Sequence, residues 1–455
     1  MKLDIRLTAL LASLLIVGTA QATNGYFTSG AGAKNDALAG AGSADPAEIM
    51  IIATNPAGLA FVHDHLEVGL SLFSPIRSYS TSASLANGNG GAFTIGPNHI
   101  TSSNNLFPIP YIAYRHRIDA QNELGLAFYA RGGMNTKWVG GTATFAPGGP
   151  GTPVMQLPGT FGSGTAGVSL MQGFLNLTFV HTMANRHLAV GVSLIGAAQR
   201  FQARGLGAFA GYTEAFAASG GTRMPTALTN NGHEMSYGAG ASVGLEWRPV
   251  QQWAFAAAYT TKMYMSKLSR YADLFVGGGS FDIPASATLG ITFKPTAPVA
   301  VSFDTQRIWY SGIAAVGNPV QNLFNCPTAG AGGTDLQSCL GGSTGPGFGW
   351  GNMTVYKLGT RWRLDPDWTL RFGVSHATQP IPRSQVTLNI LAPGVIENHI
   401  ALGVTHHDSS HGQFSVALVY ALSHSVTGPN TFDPTQTIRL SMHQYILDFA
   451  YAWGS

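Results

Sequence analysis

The sequence predicts an all-β membrane fold, an up-and-down barrel of about fourteen antiparallel strands of the outer-membrane type. Charged residues make up only 10% of the 455 residues, whereas soluble domains carry about 25%. Apolar residues alternate with polar or small ones in segments of roughly ten residues, which gives each segment one apolar face. Beyond the first residues, no run approaches the roughly 20 apolar residues of a membrane-spanning helix. The chain is therefore expected to cross a membrane with strands.

The first residues have the features of an export signal. Lys2 and Arg6 precede an apolar stretch, residues 7–17, which is too short to cross a bilayer. Residues 20–22, Ala-Gln-Ala, fit a signal-peptidase cleavage site. We therefore expect residues 1–22 to be a cleaved signal peptide and the mature protein to lie in the outer membrane of a Gram-negative cell.

The alternating segments number about fourteen, an even number like that of single-chain bacterial barrels. Short joints such as residues 365–367 alternate with long Gly- and Ser-rich joints such as 133–167 and 312–352. Short periplasmic turns and long external loops produce this asymmetry in membrane barrels, so both chain ends are expected in the periplasm. The strands are predicted near residues 66–75, 110–118, 123–132, 168–183, 187–203, 236–248, 253–267, 281–294, 298–311, 353–364, 368–380, 397–408, 413–425 and 437–453.

A soluble β-sandwich would show the same alternation, so the aromatic residues decide between the two folds. Membrane barrels carry girdles of aromatic side chains at both interfaces. Tryptophans occur here near the ends of predicted strands, at Trp247, Trp253, Trp309, Trp362, Trp368 and Trp453. This placement favours a barrel whose outer surface contacts lipid.

Residues 23–65 do not alternate and are expected to form a small helical plug, or hatch, in the lumen. Asp45-Pro46-Ala47-Glu48 has the pattern of a capping box with Pro at the first helical position, which predicts a helix from Ile49 to Ala53. Asn55-Pro56 would end that helix. At about forty residues the segment is too small to have a core of its own as a separate periplasmic domain. Residues 66–455 would form the barrel.

Three segments carry motifs of a known family. The first runs through the hatch, from residues 24–27 (Asn-Gly-Tyr-Phe) and 40–42 (Gly-Ala-Gly) to Asn55-Pro56-Ala57-Gly58. The second is residues 367–374, followed by Pro380-Ile381-Pro382, and the third is residues 258–262 with 283–285. In these motifs the sequence resembles the outer-membrane long-chain fatty acid and hydrocarbon transporters, the FadL family. The resemblance implies a monomeric fourteen-stranded barrel with an N-terminal hatch, which takes up hydrophobic compounds passively and without a cofactor.

The resemblance also implies a lateral opening beside the hatch. The third strand of that family is kinked, and the matching strand here runs into Arg131-Gly132-Gly133. A Gly pair is a place where a strand can break its hydrogen-bond ladder. A ligand would leave sideways through this opening into the outer leaflet of the membrane.

Candidate ligand-binding residues come from the same resemblance and from the long loops. The family has a basic residue at the end of its fifth strand that meets the ligand head group, and the matching residue here is Arg204. Fatty-acid carriers add a Lys where the tenth strand begins, and this sequence has none there. Lys262 and Arg371 are expected to point inward and could compensate. Apolar loop residues expected to form a capture groove are Met134, Trp138, Val139, Phe145, Leu323, Phe324, Phe348 and Trp350.

On the precedent of that family we expect long-chain fatty acids as the ligands, and uncharged alkanes or monoaromatics are the alternative that stays open. Cys326 and Cys339 are the only cysteines, and in an exported protein a disulfide between them is favoured. The 14 His residues include no full ligand set at fixed spacing, so no metal site is expected.

Other classes of protein find less support. A barrel enzyme of the lipase type would need Ser, His and an acid brought together, and alternation places Ser423 and His424 on opposite faces. The net charge of +3 argues against a nucleic-acid partner, which would require a concentrated basic face. A general porin would need a charged lumen, for which the chain carries few charges. The expected partners are a hydrophobic small molecule and membrane lipid.

Overall fold

Fourteen long antiparallel strands close into a barrel in the computed structural model, which describes residues 24–149, 151–183, 187–408 and 412–454. Each strand pairs with its neighbours in sequence, and the last pairs with the first. The strands are β1 (Asp64–Thr81), β2 (Phe107–Arg117), β3 (Asn122–Asn135), β4 (Gly167–Met183), β5 (Leu188–Arg204), β6 (Glu234–Val250), β7 (Trp253–Thr260), β8 (Ser286–Thr296), β9 (Val299–Ile308), β10 (Met353–Arg363), β11 (Trp368–Ala377), β12 (Asn398–Asp408), β13 (Gly412–Asn430) and β14 (Asp433–Gly454). The predicted fold is confirmed, whereas the predicted signal peptide lies outside the described residues.

The connections alternate between short turns and long loops, as predicted. Residues 251–252 and 297–298 are two-residue turns, whereas residues 309–352 form the longest loop. Within the described residues, no helix has both the length and the apolar character needed to cross a membrane.

The last hairpin differs from the prediction, which placed a loop between residues 425 and 437. β13 and β14 continue through this stretch and leave only Thr431 and Phe432 between them. The other external loops cover the extension, since the Phe432 ring lies 6.1 Å from the rings of both Phe209 and Phe324. Burial by these loops outweighs the weak strand propensity of the Gly, Pro, Asn and Asp residues in this stretch.

The outer surface of the barrel is apolar. Large apolar side chains are exposed along its strands, including Leu126, Leu177, Leu194, Leu245, Leu289, Phe303, Leu358, Phe372, Leu402 and Leu418. Five of the predicted girdle residues are exposed near the short-turn end, namely Trp247, Trp253, Trp362, Trp368 and Trp453. A surface of this kind is stable against lipid and would be unfavourable in water.

The lumen contains the N-terminal segment, residues 24–63. It carries three short helices, α1 (Ala33–Asp36) and the 3₁₀ helices Ile49–Ala53 and Pro56–Phe61. Its backbone comes so close to two inward-facing glycines that a Cβ at Gly191 would lie 2.5 Å from Pro56 and a Cβ at Gly373 would lie 2.1 Å from Leu38. Gly191 is on β5 and Gly373 on β11, which are six strands apart in the barrel. The segment therefore crosses the lumen.

The predicted helix from Ile49 to Ala53 is present as a 3₁₀ helix, but the predicted capping box does not form. Glu48 instead accepts hydrogen bonds from the backbone N–H groups of Lys34 and Asn35, at 3.0 and 2.6 Å. The first N–H of the 3₁₀ helix donates to Glu67 of β1 at 2.7 Å. The barrel wall thus caps this 3₁₀ helix through Glu67, whereas the sequence pattern predicted a cap from Asp45 within the N-terminal segment.

Asn55 does not only end the preceding helix. Its side chain accepts a hydrogen bond from the N–H of Ala57 at 3.2 Å and caps the next 3₁₀ helix, in which Pro56 takes the first position. Its amide also donates to the carbonyl of Ser43 at 3.1 Å. The Asn55-Pro56-Ala57-Gly58 motif therefore fixes a tight turn against the barrel wall.

Candidate functional site

The contact between the N-terminal segment and the wall is strongly polar. Asp45 accepts from Arg361 of β10 at 2.8 Å and pairs with Lys294 of β8 at 3.0 Å. Lys357 of β10 donates to the carbonyl of Ser29 at 2.9 Å. These bonds are buried or half-buried, and charge-assisted bonds in such surroundings are among the strong ones. They hold the segment to the inner wall.

The inner wall carries many of the chain's few charges. Buried charged side chains on the strands include Glu67, Arg77, Arg115, Glu123, Arg131, Glu246, Asp304, Lys357, Arg371 and Asp448. The lumen is therefore charged, contrary to the expectation from composition, because the few charged residues are concentrated on the inward face. Unlike in a water-filled porin, many of these groups contact the N-terminal segment.

Asp45 stays ionised in the folded protein. Burial alone would raise the pKa of Asp45, but the charges of Arg361 and Lys294 outweigh it and lower the pKa to about 2. Because the folded-state pKa lies below the unfolded value, this carboxylate stabilises the docked segment above about pH 4. The stabilisation is lost only as the pH falls through about 2.

Replacing Asp45 with Ala is expected to loosen the hatch. Loss of a charge-assisted hydrogen bond costs about 1.5–3 kcal/mol, so open states should become about 10–100-fold more frequent. The measurement is the frequency of transient channel openings of the purified protein in planar bilayers between pH 5 and 8. Asp119→Ala, in an exposed turn, is the matched control and should leave the openings unchanged. An Asp45→Ala variant that opens as rarely as the wild type would contradict the assigned role.

The wall is interrupted between β2 and β3. The two strands pair only from Ile112 opposite Phe128 to Arg117 opposite Glu123. β3 continues to Asn135 along β4, with a register shift between Ala130 and Gly132. Residues 129–135 therefore have no strand partner on the β2 side. The structure places Arg131, Gly132 and Gly133 in this interrupted part of the wall, which we call the lateral gap.

The beginning of the hatch occupies the lateral gap. Gly133 donates its N–H to the carbonyl of Tyr26 at 3.0 Å, and Thr28 donates to the carbonyl of Arg131 at 2.9 Å. The Arg131 guanidinium lies 5.2 Å from the Phe27 ring and donates to the carbonyl of Ala53 at 3.0 Å. Residues 26–28 thus take the place of a neighbouring strand at the gap.

A separate apolar cavity lies among the external loops. The space between its lining side chains is about 640 Å³ when the part open to solvent is included. Among the residues that the structure describes, no charged side chain lines it. The lining residues are Val168, Phe201, Leu206, Phe209, Leu228, Leu274, Phe275, Ala315, Leu323, Leu340, Pro346, Gly347, Phe348, Leu388 and Leu391. We call it the outer cavity.

Of the eight apolar loop residues expected to form a capture groove, the outer cavity contains two, Leu323 and Phe348. Trp138 is fully buried and donates its indole N–H to the carbonyl of Ile390 at 3.0 Å. Met134 and Trp350 are also buried and line a smaller cavity next to Gly25. These residues were expected in an open capture groove, but their large side chains pack between loops and hatch. Val139, by contrast, is 56% exposed.

The three basic candidates do not line the outer cavity. Arg204 is exposed and donates to Gln202 at 2.6 Å. Lys262 is half-buried and pairs with Asp282 at 2.9 Å. Arg371 does point inward, but it donates to Thr405 at 2.6 Å and lies three residues from Trp368 at the short-turn end of β11. Alternation gives no direction for Lys262, because β7 ends at Thr260.

Sequence reasoning missed the cavity residues from the loops after β5, β7 and β11. Leu206 and Phe209 come from the first, Leu274 and Phe275 from the second, and Leu388 and Leu391 from the third. Large apolar side chains within otherwise Gly- and Ser-rich external loops were the available signal. The predicted disulfide between Cys326 and Cys339 is present, with an S–S distance of 2.01 Å, and it braces the loop that supplies Leu323 and Leu340.

No family profile matches the sequence, and no curated protein matches it. Solved structures do match, each over 94% of this chain and 99% of its own. They include the toluene transporter TodX of Pseudomonas putida (16% identity, TM-score 0.57), a FadL homologue of Pseudomonas aeruginosa (13%, 0.61) and the toluene transporter TbuX of Ralstonia pickettii (15%, 0.54). The predicted resemblance is thus confirmed at the level of the fold.

Proposed function

We propose that this protein, which has the fold of TodX, TbuX and a FadL homologue, is an outer-membrane channel for the passive uptake of hydrophobic compounds. The observation that carries the proposal is the outer cavity, which is lined by apolar side chains from four external loops and two strands. Transfer of each CH₂ group from water into such a site is favourable by about 0.8 kcal/mol. Capture from the medium then needs no energy source.

The route from the outer cavity leads toward the lateral gap. Residues 26–28 are bonded to Arg131 and Gly133 at the gap, so a ligand passes only when the start of the hatch moves away. The exposed apolar side chains around the barrel favour contact with lipid, and this lipid would receive the ligand at the gap. We therefore propose that the protein lies in the outer membrane and that the ligand leaves sideways into the outer leaflet. A single chain closes the barrel, which supports a monomer.

Long-chain fatty acids and neutral hydrocarbons are both candidate ligands of this channel. The uncharged lining of the outer cavity suits the alkyl chain of either class. The toluene transporters of the same fold favour neutral monoaromatics, whereas a charged head group would require a basic partner elsewhere. The proposal assigns the protein no catalytic activity and no cofactor.

Replacing Leu323 with Asp tests the outer cavity. Leu323 is buried in its lining, so the new side chain would place a carboxyl group among apolar ones and weaken binding of toluene and oleate by about tenfold or more. Equilibrium binding of the radiolabelled compounds to the purified protein measures the effect. Leu336→Asp lies in the same loop but at a side chain 37% exposed, and it should bind like the wild type. Undiminished binding by the folded Leu323→Asp variant would refute the cavity as the capture site.

A further inference from the structure

The outward face of β5 carries two arginines where the strand leaves the membrane. Arg200 and Arg204 lie on the same face of β5 as the exposed Leu194, because alternate residues of a strand share one face. β5 begins at Leu188, which pairs with the girdle residue Trp247 at the short-turn end. A strand crosses a bilayer in about 9–11 residues, so Arg200 lies at the outer boundary of the lipid and Arg204 just beyond it.

Neither arginine has an acidic partner among the residues that the structure describes. Arg200 is half-buried and contacts the sulfur of Met171 at 3.5 Å, and a thioether is only a weak acceptor. Arg204 is exposed and donates to the amide oxygen of Gln202 at 2.6 Å. A guanidinium has five N–H donors, so both side chains have donors left for an external acceptor.

Two more basic groups lie beside these arginines. His233 directly precedes β6, and burial together with the charges of Arg200 and Arg204 lowers its pKa. Arg270 is exposed and donates to the carbonyl of His233 at 3.4 Å. We call Arg200, Arg204, His233 and Arg270 the basic patch.

The acidic residue next to the basic patch in sequence does not neutralise it. Glu234 pairs with Phe201, which lines the outer cavity, and therefore lies on the opposite face from Arg200. It accepts from the backbone N–H groups of Ser269 and Arg270 at 3.0 and 2.8 Å. The patch stays positively charged when Glu234 is counted, because three arginines face one glutamate.

The apolar outer surface of the barrel continues directly from the basic patch toward the short-turn end. Val192 and Leu194 of β5 and Tyr237 and Val243 of β6 are exposed on the same outward face. This surface fits an amphiphile whose anionic groups lie at the membrane boundary and whose acyl chains lie along the barrel. Phosphate suits the anionic groups, because guanidinium groups form paired, charge-assisted hydrogen bonds with it.

We propose that the basic patch binds the phosphate groups of lipopolysaccharide, the phosphorylated glycolipid of the outer leaflet. Basic clusters at a membrane boundary hold anionic lipid head groups in this way, and the acyl chains of the lipid would cover Val192 and Leu194. The inference needs the outer-membrane location proposed above but not the uptake function. It also gives Arg204 an external partner in place of the ligand head group that the family resemblance implied.

Replacing both Arg200 and Arg204 with Met tests the basic patch, because Met keeps an apolar stem without the charge. Native mass spectrometry of the purified protein in detergent, titrated with bisphosphorylated lipid A, measures the bound lipid. Affinity should fall about tenfold or more, since charge-assisted hydrogen bonds are lost. Lipid A that has the same acyl chains but no phosphate groups should bind weakly, and equally to wild type and variant.

The matched control replaces Arg117 and Arg363 with Met. Both are exposed strand residues at the short-turn end, so this variant loses the same charge at the other boundary of the membrane. It should bind bisphosphorylated lipid A like the wild type. Faster migration of unheated samples on gels checks that both double variants are folded barrels.

Four results would overturn the proposal. Equal losses in the two double variants would show that net charge alone attracts the lipid. A wild type that binds lipid A equally well with and without phosphate groups would show that only the acyl chains are recognised. Displacement of lipid A by inorganic phosphate would make a free anion the ligand of the patch. A loss of oleate binding in the variant of Arg200 and Arg204, with lipid A binding unchanged, would return Arg204 to the role implied by the resemblance.

Discussion

Deleting residues 24–62 is expected to leave a folded barrel with a permanently open pore. The strands begin only at Asp64 and close among themselves, so the barrel does not need the segment for its hydrogen-bond ladder. The charged inner wall that now contacts the segment would be exposed to water, as in a porin. Ion conductance in planar bilayers should rise from brief openings to a steady current.

The control for this deletion removes a different exposed segment. Deleting residues 221–224, which lie in an external loop, should leave conductance at the wild-type level. A folded barrel that lacks residues 24–62 and still conducts like the wild type would show that loops, and not the hatch, close the lumen.

Replacing Gly132 and Gly133 with Val is expected to block uptake at the lateral gap. A Cβ at Gly132 would lie 2.3 Å from the Gln172 amide oxygen and 3.5 Å from the Phe27 ring, so the added side chain fills the space between wall and hatch. Val also favours a continuous strand. Uptake of labelled oleate or toluene by cells that lack other transporters should fall by about tenfold or more, while binding at the outer cavity of the purified protein persists.

Gly196→Val is the matched control for the gap. Gly196 belongs to β5, and the nearest atom to its added Cβ is the Leu175 carbonyl oxygen at 3.9 Å. It therefore accepts a side chain without a clash, and uptake should be unchanged. If the double variant at Gly132 and Gly133 folds and takes up ligand normally, the ligand leaves straight through to the periplasm.

Parts of the site depended on contacts between residues far apart in sequence. The sequence pattern put Asp45 and Glu48 together in one local cap, whereas each is satisfied by a different partner. Met134 and Trp350 were assigned to an open groove because loops usually lie at the surface. Both are covered by other loops and the hatch.

The sequence by itself determined the fold class, the number of strands, the disulfide and the existence of a hatch. These features follow from local regularities, because alternation with period two selects strands and a stretch without it stands out. The tertiary structure decided where the cavities lie and which charges face the hatch. Cavities form where several loops meet. The partners of a buried charge depend on which strands the closed barrel brings together, and here Lys294 and Arg361 reach Asp45 across about 250 and 316 positions of the chain.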